Sequence, residues 1–136
     1  MSELEYQKVA AHALIKNKNG EYLVTRRSSI DDWQPGVWDL PGGSIEFSEN
    51  PEDALLREID EEVGIKVNVL RLIYCYSFMS NPQRHQFQLV YECEYVSGDI
   101  KLNPEDHDEF RWLRPEEFKN LKKIAFFESL CDKLFV

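Results

Sequence analysis

A single predicted helix constrains the fold of this chain more than any other segment. Residues 51–63 combine an apolar stripe with a dense acidic face, and the residues that bound them favour a helix start and a helix end. Asn50 is a good N-cap, Pro51 suits the first helical position, and Gly64 suits the C-terminal exit. We therefore predict a helix from Pro51 to Val63.

The carboxylates of this helix are concentrated on one side. At about 100° of rotation per residue, Glu58, Glu61 and Glu62 share an arc of about 100°, whereas Asp60 points away from them. The predicted apolar stripe consists of Leu55, Leu56, Ile59 and Val63. Like charges at this spacing repel one another. The cluster is either a solvated acidic face or a site for a hard divalent cation, Mg²⁺ or Mn²⁺, and the spacing alone leaves both interpretations open.

Strands are predicted on both sides of this helix. Hydrophobic patterns predict strands over 9–15, 22–24, 37–40, 67–78, 86–96 and 110–113, and an amphipathic helix over 124–135. Polar loops are expected over 28–36, 80–85 and 103–109. Strands that flank a central helix, with a second helix at the end, predict an α/β sandwich around a mixed sheet. At 136 residues we expect one domain, residues 1–136.

Charge and hydropathy exclude two classes of partner. The chain has 16 Lys and Arg against 25 Asp and Glu, a formal net charge of −9. A nonspecific nucleic-acid binder needs a basic face, so no nucleic-acid polymer is expected as a partner. A small phosphorylated substrate remains compatible with this charge if a cation mediates its contact. No apolar run approaches the roughly 20 residues of a membrane span, so no membrane partner is expected.

The cysteines indicate a reducing environment. Cys75, Cys93 and Cys131 are far apart, odd in number and outside any CxxC pair. A disulfide framework or a zinc site is therefore not expected, and the cytoplasm fits best. We predict that the three thiols behave as buried or partly buried small hydrophobic groups.

The sequence around the acidic helix resembles a known motif. Gly43 is followed after five residues by Glu49 and after seven more by the run Arg57 to Ile65. This spacing matches every fixed position of the Nudix box, G-x5-E-x7-R-E-U-x-E-E-x-G-U, in which U is a bulky aliphatic residue. The chain thus resembles the Nudix hydrolase superfamily, particularly its small MutT-like members. The resemblance extends through Trp38 to Gly43 and through Glu109 to Leu113.

The resemblance implies a fold, a reaction and a cofactor. Nudix hydrolases cleave a nucleoside diphosphate linked to another moiety, and their catalytic helix lies in a loop-helix-loop motif within an α/β/α sandwich. It implies that Glu58, Glu61 and Glu62 hold Mg²⁺ (with Mn²⁺ as a substitute), together with a carbonyl of the Gly42-Gly43 turn. The metal would neutralise the diphosphate and activate water for attack on phosphorus.

Further catalytic roles follow from the same resemblance. Arg57 and Glu49 form an orienting ion pair in the family. The general base is either a glutamate of the box or an acid of a later loop, for which Glu105 and Glu109 are the candidates. His107, in the same loop, is expected to be solvated.

Substrate binding is expected to involve an arginine and an aromatic ring. Because neighbouring residues of a strand point to opposite faces, one of Arg26 and Arg27 should face the cleft and the phosphates. Trp33 and Phe78 are candidates for stacking on the base or on the other moiety of a nucleotide-like substrate, whereas Trp38 is expected in the core.

Two alternatives to a hydrolase are considered. One is a catalytically inactive Nudix-like nucleotide-binding module, which the intact box disfavours. The other is an enzyme similar to isopentenyl diphosphate isomerase, which would need a catalytic cysteine that the sequence does not clearly offer. The sequence does not identify the substrate, and a monomer and a homodimer are both compatible with it.

Overall fold

The described part of the chain contains seven strands and two α-helices. The computed structural model describes residues 4–30 and 34–135. The strands are β1 (Tyr6–Lys16), β2 (Tyr22–Arg27), β3 (Trp38–Asp39), β4 (Gly42–Ser44), β5 (Lys66–Asn81), β6 (Arg84–Ser97) and β7 (His107–Leu113). The helices are α1 (Pro51–Val63) and α2 (Ala125–Leu134), and Pro115–Asn120 forms a 3₁₀ helix.

The strands form one mixed sheet. Its order is β3-β2-β1-β6-β5, with β4 paired to β1 and β7 paired to β2. β1 and β6 are parallel, from Tyr6 opposite Arg84 to Lys16 opposite Glu94, and the other pairs are antiparallel. β1 meets β2 only at the pair Lys16–Tyr22, and further along its edge it pairs with β4. β1 therefore brings the Gly42–Ser44 segment beside the centre of the sheet.

Each face of the sheet carries its own hydrophobic core. On one face, Ala11, Ala13 and Ile15 of β1 pack with the α1 residues Leu55, Ile59 and Val63. On the other face, Leu14 and Val90 pack with the α2 residues Phe126, Phe127 and Leu130. Alternation of side chains along β1 supplies both cores from one strand. The predicted α/β/α sandwich around a mixed sheet is confirmed.

The α1 helix has the predicted ends. It runs from Pro51 to Val63, and Gly64 adopts a left-handed conformation, with φ of +69°, that ends it. One detail of the predicted apolar stripe is wrong. Leu56 is 43% exposed, whereas Leu55 and Ile59 are buried, because Leu56 lies at the margin of the packed face.

Two predicted loops are shorter than expected. β5 continues to Asn81 and β6 begins at Arg84, so the loop predicted over 80–85 is largely strand. The Asn81 side-chain oxygen accepts hydrogen bonds from the backbone N–H groups of Gln83 and Arg84 and closes this tight turn. β7 begins at His107, within the loop predicted over 103–109, because His107 pairs with Arg27 of β2.

Across the described ranges, 4–30 and 34–135, no helix has the length and apolar character needed to span a membrane.

Candidate active site

A cavity of about 680 Å³ opens where α1 approaches the sheet. Glu62 and the Gly42-Gly43 turn form the wall on the α1 side. The side chains of Ala10 and Gln88, from β1 and β6, line it from the sheet, and Phe78 of β5 contributes an aromatic wall. The cavity therefore connects the acidic helix with one face of the sheet.

Gly42 lets β4 approach β1 closely, and Gly43 lets the Glu58 side chain of α1 approach β4. The Gly42 N–H donates a hydrogen bond to Glu62 Oε2 at 3.0 Å. Gly42 has φ of +152°, and a Cβ there would lie 2.1 Å from the Ala11 carbonyl oxygen. A Cβ on Gly43 would lie 2.4 Å from Cδ of Glu58. Side chains at these two positions would displace the strand or the Glu58 carboxyl group.

The carboxyl groups of α1 occupy an environment that disfavours their charge. Burial raises the pKa of Glu62 well above its ordinary value, and neighbouring Asp39 and Glu58 raise it further, against the Gly42 N–H, which lowers it. Burial also raises the pKa of Glu58, while the Arg57 guanidinium lowers it. A positive charge placed between these groups would relieve both penalties.

Arg57 ties the acidic helix to the preceding loop. Its Nε and Nη2 donate to the two oxygens of Glu49 at 2.8 and 2.9 Å, and Nη2 also donates to the Ser44 carbonyl at 3.1 Å. Its Nη1 donates to Glu58 Oε1 at 3.0 Å and to Glu61 Oε2 at 3.4 Å. The hydrogen bond from Arg57 lowers the pKa of Glu49 to about 2. Glu49 therefore holds the Arg57 guanidinium on one side, and Arg57 in turn orients the Glu58 carboxylate on the other side.

The donor chemistry of this face fits a hard divalent cation. Glu58, Glu61 and Glu62 offer carboxylate oxygens, the ligands that Mg²⁺ prefers. Within the ranges that the structure describes, no three His, Cys, Asp or Glu side chains are close enough together to hold a metal ion. The Arg57 guanidinium, which contacts both Glu58 and Glu61, occupies the space between these two carboxylates.

The two later glutamates lie apart from the cavity. Glu109, on β7, accepts from Arg111 Nε at 2.9 Å and forms an ion pair with Arg26 Nη1 at 3.1 Å. Glu105 is exposed in the preceding turn. Of the predicted catalytic acids Glu49, Glu58, Glu61, Glu62, Glu105 and Glu109, only Glu62 lines the cavity.

The adjacent arginines of β2 diverge as strand alternation predicts. Arg27 lines the cavity, and its Nη1 lies 3.6 Å from Asp39 Oδ2. Arg26 instead donates to Asp108 Oδ1 at 2.8 Å and is absent from the cavity wall. Of the aromatic candidates, Phe78 lines the cavity, and Trp33 lies outside the described residues. Trp38 is buried in the core, as predicted.

Several polar residues of the cavity were not predicted. Asp39 is 4% exposed, and its Oδ1 accepts from the Leu40 N–H at 2.7 Å. His107 was expected to be solvated, and this is wrong: it is 4% exposed, and burial lowers its pKa. Gln86 and Gln88 are also buried at the cavity. Gln86 and Gln88 alternate with the apolar residues Phe87 and Leu89, and this alternation was the available signal.

The thiols do not belong to this site. Cys93 is buried and Cys131 partly buried, but Cys75 is exposed on β5, contrary to the prediction. Burial raises the pKa of Cys93 to about 12 and that of Cys131 to about 11, so both are poor nucleophiles. None of the three lines the cavity. An isomerase that uses a cysteine as its catalytic group has no support in this geometry.

The match to a family model and the names of the similar proteins show that the chain is a hydrolase of phosphoric anhydride bonds. The NUDIX domain model matches residues 6–131, and the chain belongs to the Nudix family.

Similar proteins cover most of the chain. The nucleoside triphosphatase NudI of Klebsiella pneumoniae is 33% identical over an alignment that spans 84% of this chain and 86% of that protein. An RNA pyrophosphohydrolase of Zymomonas mobilis is 30% identical over an alignment that spans 98% of this chain and 95% of that protein. The crystal structure of a MutT protein from Methanosarcina mazei has a TM-score of 0.84 at 28% identity, covering 97% and 95% of the two chains.

Proposed function

We propose that this chain is a Mg²⁺-dependent pyrophosphohydrolase of a nucleoside triphosphate or a related nucleotide, with Mn²⁺ able to substitute. The observation that carries the proposal is one cavity that joins Glu62 and the Gly42-Gly43 turn to the sheet wall at Gln88 and Phe78. A diphosphate at the first end and a nucleoside at the second would fill it. The names of the similar proteins, a nucleoside triphosphatase and an RNA pyrophosphohydrolase, agree with a nucleotide substrate.

The residues that would hold the cation are Glu58, Glu61 and Glu62, with a carbonyl of Gly42 or Gly43. When bound there, a divalent cation supplies positive charge that neutralises the diphosphate and acidifies the attacking water. Arg57 and Glu49 fix the direction of the Glu58 carboxylate through their hydrogen bonds. These contacts would hold the oxygen ligands in place before the substrate enters.

The remaining catalytic roles follow from which groups reach the cavity. Arg27 lines the cavity and would offer its guanidinium to a phosphate, whereas Arg26 is held outside by Asp108. Glu62 of α1, which lines the cavity, is favoured over Glu105 and Glu109 as the group that accepts the proton of the attacking water. Both later acids lie off the cavity wall.

Hydrolysis of a nucleotide panel by the purified chain with Mg²⁺ tests this proposal. The panel contains nucleoside triphosphates, dinucleoside polyphosphates, ADP-ribose and other sugar nucleotides. At least one should be cleaved at a phosphoric anhydride bond, and EDTA should abolish the reaction. Glu62→Gln should lower kcat by about 100-fold or more, because it removes a carboxylate that faces the reacting groups.

A matched substitution on the same helix provides the control. Asp60 is exposed, and its nearest cationic partner, Lys66 Nζ, lies 3.9 Å away. Asp60→Asn should therefore retain kcat. Equal rates for the wild type and Glu62→Gln would contradict the proposed site. A folded wild type that binds nucleotides but cleaves none of the panel would support a binding module instead.

A further inference from the structure

The sheet face beneath α2 changes from apolar to polar at the cavity. Leu14 of β1 and Val90 of β6 belong to the α2 core. Two residues earlier on β6, and on the same face, Gln88 takes the place of an apolar side chain and is 7% exposed. Its neighbour on β1 is Ala10, whose small side chain leaves space above the sheet. A glutamine at a core-facing strand position needs a hydrogen-bonding partner.

Gln88 lacks that partner within the described part of the chain. Its Oε1 is buried and accepts no hydrogen bond from any described residue. Both ring nitrogens of His107, which lines the same cavity, are likewise buried without a partner there. An unpaired buried acceptor is costly, and a ligand that brings an N–H donor would remove the penalty.

The distance between the Gly42–Ser44 segment and Gln88 matches the length of a nucleoside. Ser44 of β4 pairs with Ala10 of β1, and Ala10 pairs with Gln88 of β6. Two strand spacings separate β4 from β6 by about 10 Å. This is comparable to the span from a 5′-phosphate to the far edge of the attached base. A phosphate beside the Gly42–Ser44 segment would therefore place the base near Gln88.

The chemistry around Gln88 favours a flat heterocycle over a sugar. Phe78 lies on β5 opposite Gln86, and both line the cavity. An aromatic wall stacks on the face of a base, while a side-chain amide presents an acceptor and a donor side by side. That pair complements a base edge with an adjacent N–H and acceptor, as in the contact of glutamine with adenine.

We propose that Gln88 recognises the nucleobase edge of the substrate and so determines its specificity. The proposal rests on the proposed function for the nature of the substrate, and it adds which residue selects the base. Oε1 of Gln88 accepts an N–H of the base, and Phe78 stacks against the ring.

Binding measured without metal separates this proposal from catalysis. Isothermal titration calorimetry of the metal-free chain with AMP, GMP, CMP and UMP is compared with ribose 5-phosphate, which has no base. At least one nucleotide should bind about tenfold or more tightly than ribose 5-phosphate and than the weakest nucleotide. Gln88→Met should remove that preference, because methionine has a similar shape and offers neither amide group.

Two further variants complete the experiment. Gln7→Met makes the same change at an exposed site on the opposite face of β1 and should leave binding unchanged. Ala10→Val fills the space beside Gln88 without altering the amide and should also weaken nucleotide binding, so it serves if Gln88→Met fails to fold.

The possible results distinguish the two proposals. Equal affinity for ribose 5-phosphate and all four nucleotides, or an unchanged preference in Gln88→Met, would overturn the role of Gln88 even if the chain hydrolyses nucleotides. Base-selective binding that depends on Gln88, in a chain that cleaves no diphosphate, would uphold that role and reject the proposed function.

Discussion

Arg57 shows how one residue links the loop before α1 to the acidic face of that helix. Its guanidinium contacts Glu49 through two hydrogen bonds, the Ser44 carbonyl, and the carboxylates of Glu58 and Glu61. Lysine, a single point charge on a flexible stem, could not make this set of contacts at once. The Nudix box therefore fixes a geometry as well as a charge pattern.

The Glu49–Arg57 pair should make stability depend on acid pH. The pKa of Glu49 is lowered from 4.5 to about 2 in the folded chain, mainly by its hydrogen bond from Arg57. Its contribution to the free energy of unfolding is therefore present above pH 4.5 and is lost as the pH falls towards 2. Glu49→Gln should be less stable than the wild type at pH 7, and this difference should shrink at pH 3. Urea denaturation at both pH values measures it.

Glu52→Gln is the control for this measurement. Glu52 is exposed in the first turn of α1, and the substitution should leave the pH dependence of stability close to that of the wild type. A stability difference between wild type and Glu49→Gln that is as large at pH 3 as at pH 7 would show that the ion pair is not its source.

At the scale of elements, the turn between β3 and α1 should separate folding from catalysis. In Gly42→Ala, a Cβ would overlap the Ala11 carbonyl oxygen at 2.1 Å, and φ of +152° disfavours alanine. We expect a loss of at least about 2 kcal/mol of stability. In Gly43→Ala, the overlap is with the flexible Glu58 carboxyl group, at 2.4 Å from Cδ. That group can move, so the fold should persist while kcat falls by about tenfold or more.

Thermal unfolding and hydrolysis assays on both variants distinguish the two effects. A Gly42→Ala chain with the wild-type Tm would contradict the close approach of β4 to β1. A Gly43→Ala chain with full activity would show that the position of Glu58 against the turn is unimportant for the reaction.

The elements that the sequence predicted well are those with local determinants. The ends of α1 were predicted from Asn50, Pro51 and Gly64, although the Asn50 side chain makes no capping hydrogen bond. The acidic face of α1 was predicted from helical rotation. The start of β7 was not predicted, because His107 pairs with Arg27, which is distant in sequence, and the residues next to His107 in sequence are polar. The two strands of the β5–β6 hairpin were also predicted too short, because the polar residues at the end of the hairpin have the composition of a loop.

The whole molecule depends on two cores, one on each face of the sheet. Phe127 of α2 is 0% exposed and packs in the core of the second face. Phe127→Ala should cost about 3–5 kcal/mol, because it removes a large side chain and leaves a cavity. Chemical denaturation measures this loss. Leu134 lies at the end of the same helix and is 46% exposed. Leu134→Ala should therefore lower the free energy of unfolding by about 1 kcal/mol or less. Equal losses in the two variants would mean that α2 is not packed as described.

The glutamates of α1 and the residues of the sheet wall were predictable to different degrees. The glutamates of α1 lie on one helix, so a local motif was enough to group them. The cavity wall on the sheet combines β1, β4 and β6, whose neighbours are set by pairings between distant parts of the chain. Ala10 and Gln88 have no signal in common that identifies them as neighbours. The sequence therefore grouped the glutamates of α1 and named Arg27 and Phe78, but it did not point to Ala10 and Gln88 of the sheet wall.

The parallel register of β1 and β6 has a consequence for how the chain reaches its native state. Tyr6 must find Arg84, and Lys16 must find Glu94, with α1 and the whole of β5 lying between them in sequence. The entropy of closing so long a loop has to be overcome before these pairings contribute, which places the chain among slower-folding topologies. During synthesis, the whole of α1 is made before β6, so the sheet wall of the cavity cannot form until β6 has been synthesised. In the proposed assignment of roles, the wall that recognises the base is therefore completed after the glutamates of α1 have all been synthesised.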